Sequence, residues 1–168
     1  MINCFALNDH VGAERVAHSF LETPLDSFRA IFEINVVALF EVCRSYIRSN
    51  KQGIIINFSS IYGLRSPRPS FYGGMDKHPA YGASKAAVSN LTQYLAVLAP
   101  NFRINSIVPG GVENSQNKEF IEKYCEDLPK KRLMYRSEIV GITKFLLSED
   151  ASYCTGSDFL VDGGWNAR

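Results

Sequence analysis

Apolar residues along the chain follow two alternating rhythms. Four short runs, Met1 to Phe5 (MINCF), Gly53 to Phe58 (GIIINF), Arg103 to Val108 (RINSIV) and Asp158 to Val161 (DFLV), have the length and composition of strands. Three consecutive isoleucines leave the second apolar on both faces, as a strand covered on both sides requires. Between these runs the apolar positions recur at helical spacing. Thr23 predicts an N-cap, with Pro24 at the first helical position and Asp26 in the first turn. Phe28, Ile31, Phe32, Leu39, Phe40, Cys43 and Tyr46 carry that pattern to about Ser49. A second helix is predicted over about Ala80 to Leu98, with an apolar face of Ala83, Ala87, Leu91, Leu95 and Leu98, and Pro100 ends it. A third helix spans about Ser137 to Leu147 and a weaker one about Lys118 to Glu126, while the Pro/Gly-rich stretch Ser66 to Pro79 reads as a long loop.

Strand and helix thus alternate, the order that makes right-handed crossovers and a parallel sheet. The fold class is α/β, a Rossmann-like three-layer parallel sheet. The 168 residues, 46% of them hydrophobic, suit one domain with a substantial core. With 18 Lys and Arg against 17 Asp and Glu, and the basic residues scattered, nucleic acid is an unfavoured partner. Cys4, Cys43, Cys125 and Cys154 form no CxxC pair and no zinc spacing, so they read as reduced thiols of a cytoplasmic protein without a metal. No apolar run approaches the roughly 18 residues that span a bilayer.

The chemistry concentrates between Ser60 and Lys85, in SIYGLRSPRPSFYGGMDKHPAYGASK. Tyr81 and Lys85 stand four apart at a helix start, so their side chains share one face. An ammonium beside a phenol favours the phenolate and makes the Tyr a usable general acid or base; a solvated helix start carries the same pair without any function. Ser60 falls just past the carboxyl end of GIIINF, the edge of a parallel sheet where ligands sit, although a hydroxyl pair there also closes turns. Asn35 interrupts the apolar run IFEINVVALF inside a predicted helix, as a functional amide or as a buried structural one. Pro109, Gly110 and Gly111 follow the third strand and let the backbone turn and approach a flat ligand, or simply end the strand. VDGGW, Val161 to Trp165, is a further signal, or simply a chain end with a turn and a packed Trp.

Taken in order, these pieces resemble the short-chain dehydrogenase/reductase (SDR) family over the whole chain. INCFA at Ile2 to Ala6 stands where the family has NNAG, EIN carries the helix Asn35, INFSS the Ser60, YGASK the Tyr81 and Lys85, VPGGV the loop over the cofactor, and TGSDFLVDGGW the last strand. The resemblance implies an NAD- or NADP-dependent oxidoreductase acting on a carbonyl or alcohol. Tyr81 would exchange a proton with the substrate oxygen and Ser60 would hydrogen-bond that oxygen. Lys85 would bind the nicotinamide ribose and lower the Tyr81 pKa, and Asn35 would hold a relay water. Asn3, Tyr81, Lys85, Pro109, Gly110 and Val112 would touch the cofactor.

The chain departs from the family in two places. Cys4, Phe5 and Ala6 replace the rest of NNAG, and no GxxxGxG turn opens a helix, so the sequence is expected to be an N-terminally incomplete domain beginning at the fourth strand. Its first strand would then be an exposed edge, and the chain would be poorly stable as a monomer or would pair through its helices, as a dimer or tetramer. Ser60 and Tyr81 are 21 positions apart, and the insert SPRPSFYGGMDKHP resembles one in a subset tied to surface-sugar and flagellin-glycosylation pathways. That likeness places Tyr72, Met75 and His78 near a pocket for a polyhydroxylated substrate. The competing expectations are a non-catalytic binding protein that cannot hold the dinucleotide, and a hydrolase using Ser60, for which the sequence offers only His78 nearby and no GxSxG elbow.

Overall fold

A computed structural model describes residues 1–8, 19–72, 76–126 and 128–167. The four apolar runs pair side by side in sequence order, all parallel: β1 (Ile2–Asn3), β2 (Gly53–Phe58), β3 (Phe102–Pro109) and β4 (Asp158–Val161). Parallel neighbours demand crossovers, and helices supply them. Leu25–Phe32 (α1) runs through a π-helical segment, Glu33–Ala38, into Leu39–Ser49 (α2). The remaining helices are Pro79–Leu98 (α3), Lys118–Glu126 (α4) and Ile139–Leu147 (α5). The isoleucines of β2 alternate between faces. Ile55 packs with Leu39, Cys43, Val88, Leu95 and Ile104 under α2 and α3, while Ile54 and Ile56 pack with Ile107 and Leu146 under α5. Helices cover both faces, giving the α/β Rossmann-like parallel architecture.

The bounds of β2, β4 and α4 coincide with the expectation; other details differ. β1 is two residues rather than five. Thr23 closes a 3-10 turn, Phe20–Glu22, and Pro24, extended at ψ 132°, is the N-cap of α1 without a side-chain cap. The buried face of α3 is Ala80, Ser84, Lys85, Val88, Ser89, Thr92 and Leu95, whereas Ala83 and Leu98 are exposed. Apolarity misplaced this face because hydroxyls bury cheaply when satisfied. Ser84 Oγ donates to the Tyr81 carbonyl at 2.8 Å, Ser89 Oγ to Ser59 Oγ at 3.0 Å and Thr92 Oγ1 to the Val88 carbonyl at 2.8 Å.

Buried and part-buried polar bonds join the apolar packing on both faces of the sheet. Asn57, fully buried on β2, accepts from Asn3 Nδ2 at 2.8 Å and donates to Thr92 Oγ1 at 2.9 Å, tying β1 to α3. Arg103 on β3 donates to the carbonyls of Leu146, Ser148 and Ala151 at 2.9–3.0 Å, fastening the end of α5 to the sheet.

Candidate active site

The carboxyl end of β2 delivers two serines with opposite duties. Ser59 faces inward: its amide donates to the Ile107 carbonyl at 2.9 Å and its Oγ to the Lys85 carbonyl at 2.8 Å. Ser60, also buried, is the N-cap of the 3-10 turn Ile61–Gly63, its Oγ accepting from the Tyr62 amide at 3.2 Å. Two glycines then bring this turn against the start of α3. A Cβ on Gly63 would stand 2.7 Å from the Lys85 carbonyl carbon, and one on Gly82 2.7 Å from the Tyr62 carbonyl oxygen. Backbone touches backbone at both points, which sets the approach of Ser60 to Tyr81.

Ser60 and Tyr81 border one cavity of about 330 Å3, with Tyr62, Tyr72 and Lys77 around them and Pro109, Gly110, Gly111 and Val112 opposite. The PGG loop is held from behind. The Gly110 amide donates to the Val161 carbonyl at 2.9 Å and the Gly111 amide to Tyr124 Oη at 2.7 Å. A Cβ at Gly110 would meet Asp162 Cα at 2.9 Å, so the glycines serve the chain's own packing as well as leaving the cavity wall bare. The VDGGW segment backs two of the lining tyrosines: Gly163 and Gly164 take φ of +65° and +87°, and the Trp165 ring packs on Tyr62 and Tyr124. Burial pushes both the Tyr62 and Tyr124 hydroxyls well above the usual phenol range, so they are neutral donors and acceptors.

Lys85 and Asn35 lie behind this cavity rather than on its lining. Lys85 is buried and its Nζ donates to the Phe58 carbonyl at 2.6 Å. Burial pulls its pKa down to about 8, with Cys4 nearby acting weakly in the opposite sense. Asn35, 2% exposed, sits in the π-helical segment and clasps the backbone of Leu7: Oδ1 accepts its amide at 2.7 Å and Nδ2 donates to its carbonyl at 3.1 Å. A third bond, Nδ2 to Ser84 Oγ at 3.0 Å, uses the other amide proton. Asn3 turns into the core, its Nδ2 on Asn57 and 3.4 Å from Cys43 Sγ, away from the cavity.

Within the insert, Tyr72 reaches the cavity wall, donating to Tyr62 Oη at 2.7 Å. His78 does not; it is the N-cap of α3. Its Nδ1 accepts from the Ala80 amide at 3.2 Å, so Nε2 carries the proton and donates to Ser27 Oγ at 2.9 Å. Engaged in this way, His78 is no base for Ser60. Met75, Gly73 and Gly74 lie outside the described residues. Sequence reasoning missed Lys77, Tyr62 and Tyr124. No period or spacing in the sequence marks them. A second cavity, of about 590 Å3, lies beyond Tyr62, Tyr72 and Lys77, between Phe20, Arg65 and Ala86.

Residues 1–166 match the family model described as Enoyl-(Acyl carrier protein) reductase. The chain is 36% identical over 158 residues to a cyclopentanol dehydrogenase of Comamonas sp. (strain NCIMB 9872), an alignment covering 88% of this chain and 60% of that protein. It is 32% identical over 124 residues to the post-translational flagellin modification protein A of Campylobacter coli, covering 71% and 48%. Among solved structures it superposes on a short chain dehydrogenase from Leptospira borgpetersenii with bound NAD+, at a TM-score of 0.86 and 31% identity, covering 98% of this chain and 63% of that one. The chain therefore belongs to the short-chain dehydrogenase/reductase family. It spans between about half and two thirds of the length of these relatives.

Proposed function

We propose that the protein is an NAD- or NADP-dependent oxidoreductase exchanging hydride with an alcohol or carbonyl substrate. The observation that carries this reading is that Ser60 and Tyr81 line one cavity together with Pro109 to Val112, a stretch that has no side chain at two positions. That stretch and those hydroxyls fit the flat nicotinamide end of the cofactor. Bound there, the nicotinamide supplies or receives the hydride. Tyr81 gives or takes the proton at the substrate oxygen, and Ser60 hydrogen-bonds that oxygen as its charge changes. Lys85, one turn deeper in α3, adds a positive charge that favours the ionised phenol. The Asn35 Nδ2 protons go to Leu7 and Ser84, and Asn35 would hold the relay water through the second lone pair of Oδ1.

The substrate we favour is polar and polyhydroxylated, a sugar derivative of a surface-glycan pathway. Tyr62, Tyr72, Asn114 and Gln116 edge the cavity with hydrogen-bonding groups, and a flagellin modification protein stands among the relatives. A cytoplasmic homo-oligomer accords with four free cysteines and with exposed apolar residues on α1–α2 and α3, including Ile34, Val37, Tyr94 and Val97. Among the described residues no helix is long and apolar enough to cross a membrane. One observation favours a non-catalytic binding protein instead: the Lys85 ammonium is turned to the Phe58 carbonyl and is absent from the cavity lining. Calorimetric titration of the purified chain with NADH and with NADPH separates the two. Saturable binding of either supports the enzyme; a folded sample that binds neither supports the non-catalytic reading.

A further inference from the structure

Tyr81 has a second lysine beside it, and this one comes from outside its helix. Lys77 stands two residues before the end of the insert that separates Ser60 from Tyr81. It is 8% exposed, lines the cavity, bonds Asn8 Oδ1, and places its Nζ 4.6 Å from the centroid of the Tyr81 ring. Lys85, by contrast, reaches back to the carbonyl of Phe58 on β2. From this arrangement we infer that Lys77 is a positioning residue for Tyr81, fixing the plane of its ring and stabilising its ionised form through the ring face. The inference rests on the reading of Tyr81 as the proton-exchanging group.

The physical reason lies in how a phenol carries charge. A neutral ring offers a cation only its quadrupole, whereas a phenolate spreads a full negative charge over the oxygen and the ring carbons. A cation on the face therefore gains more from the ionised ring than from the neutral one, and the difference grows where water is excluded. The other titratable groups near Tyr81 among the described residues do not replace this charge. Lys85 lies behind it on α3, Tyr62 is electrostatically coupled to it but neutral, and Tyr72 is bonded to Tyr62. Asp76, next to Lys77 in sequence, accepts from the Phe20 amide at 2.9 Å. The insert thus delivers a cation to the face of the ring as well as covering the cavity.

A tether role alone, Lys77 holding the insert to Asn8, would leave the ionisation of Tyr81 unchanged, and that difference is the test. The protein is labelled with 13Cζ-tyrosine, the Tyr81 resonance is assigned by its loss in Tyr81→Phe, and its titration is followed in wild type, Lys77→Met, Lys77→Gln and Lys77→Arg. Lys77→Gln keeps an N–H for Asn8 while removing the charge. The midpoint should lie below the ordinary tyrosine value of about 10 in wild type, rise by about one pH unit in both neutral variants and return in Lys77→Arg. A wild-type midpoint at or above about 10 overturns the inference. So does an unchanged midpoint in either folded neutral variant, or loss of folding in both, since the lysine would then serve the fold. If Tyr81→Phe keeps full cofactor-dependent turnover, the reading of Tyr81 fails; if that variant is inactive and the midpoint ignores Lys77, only the present inference fails.

Discussion

Replacing Lys85 by Met should stabilise the protein at neutral pH while removing the charge that the proposed chemistry uses. The ammonium is buried, and its pKa falls from 10.5 to about 8 because of that burial. At about 1.4 kcal/mol per pH unit, that drop of 10.5 − 8 corresponds to about 3 kcal/mol spent on carrying the charge at pH 7. Methionine keeps the aliphatic stem, and the lost bond to the Phe58 carbonyl costs about 1 kcal/mol. The net gain is about 2 kcal/mol, or roughly 5 °C in Tm for a chain of this size.

The pH dependence makes this prediction specific. Between about 8 and 10.5 the unfolded chain still holds the Lys85 proton and the folded chain does not, so raising the pH stabilises the fold across that window. From pH 7 to pH 9.5 the wild type recovers about 2 kcal/mol by releasing that proton, and the advantage of Lys85→Met should nearly vanish. Urea unfolding followed by circular dichroism at both pH values measures the two gaps. A variant less stable than wild type at pH 7, or a gap that does not change with pH, would refute the assignment of Lys85 as a desolvated ammonium.

Gly63→Ala should destabilise the protein by about 1–3 kcal/mol, because its methyl has only the Lys85–Ala86 backbone to displace; thermal melting checks this. Asn35→Ala should cost about 2 kcal/mol by releasing both backbone groups of Leu7, and hydrogen exchange at the Leu7 amide should accelerate with it. Glu138, held down to about 2 by the Arg132 guanidinium and then by the Tyr135 amide, contributes stability above its ordinary value of 4.5 that is lost as the pH falls toward 2. Glu138→Gln should therefore flatten the acid limb of the stability curve, with the difference from wild type present at pH 7 and gone near pH 2.

Elements whose chemistry repeats along the chain were legible in advance. GIIINF could be little but a doubly covered strand, and its three isoleucines do divide between α2–α3 and α5. The α3 face was not legible, since Ser84, Ser89 and Thr92 are buried by hydrogen bonds to positions far away or one turn back, which periodicity of apolar residues does not register. Asn35 stood out as a polar residue in an apolar run, but its clasp on Leu7 and the π-helical turn around it depend on a loop that the sequence does not place. Ser60 and Tyr81 share a cavity as their order along the sheet edge suggested, and Lys85 shares only the helix. Lys77 left no trace at all: its position over a ring is fixed by where the insert folds back, a tertiary fact.

The proposed chemistry stands or falls with the Tyr81 hydroxyl. Absorbance of the reduced nicotinamide, followed with NADH and NADPH against a panel of sugar-derived ketones and cyclopentanone, compares wild type with Tyr81→Phe. The account predicts turnover in wild type and a loss of at least about a hundredfold in the variant, the scale of one general acid. Equal turnover in the two proteins would contradict it.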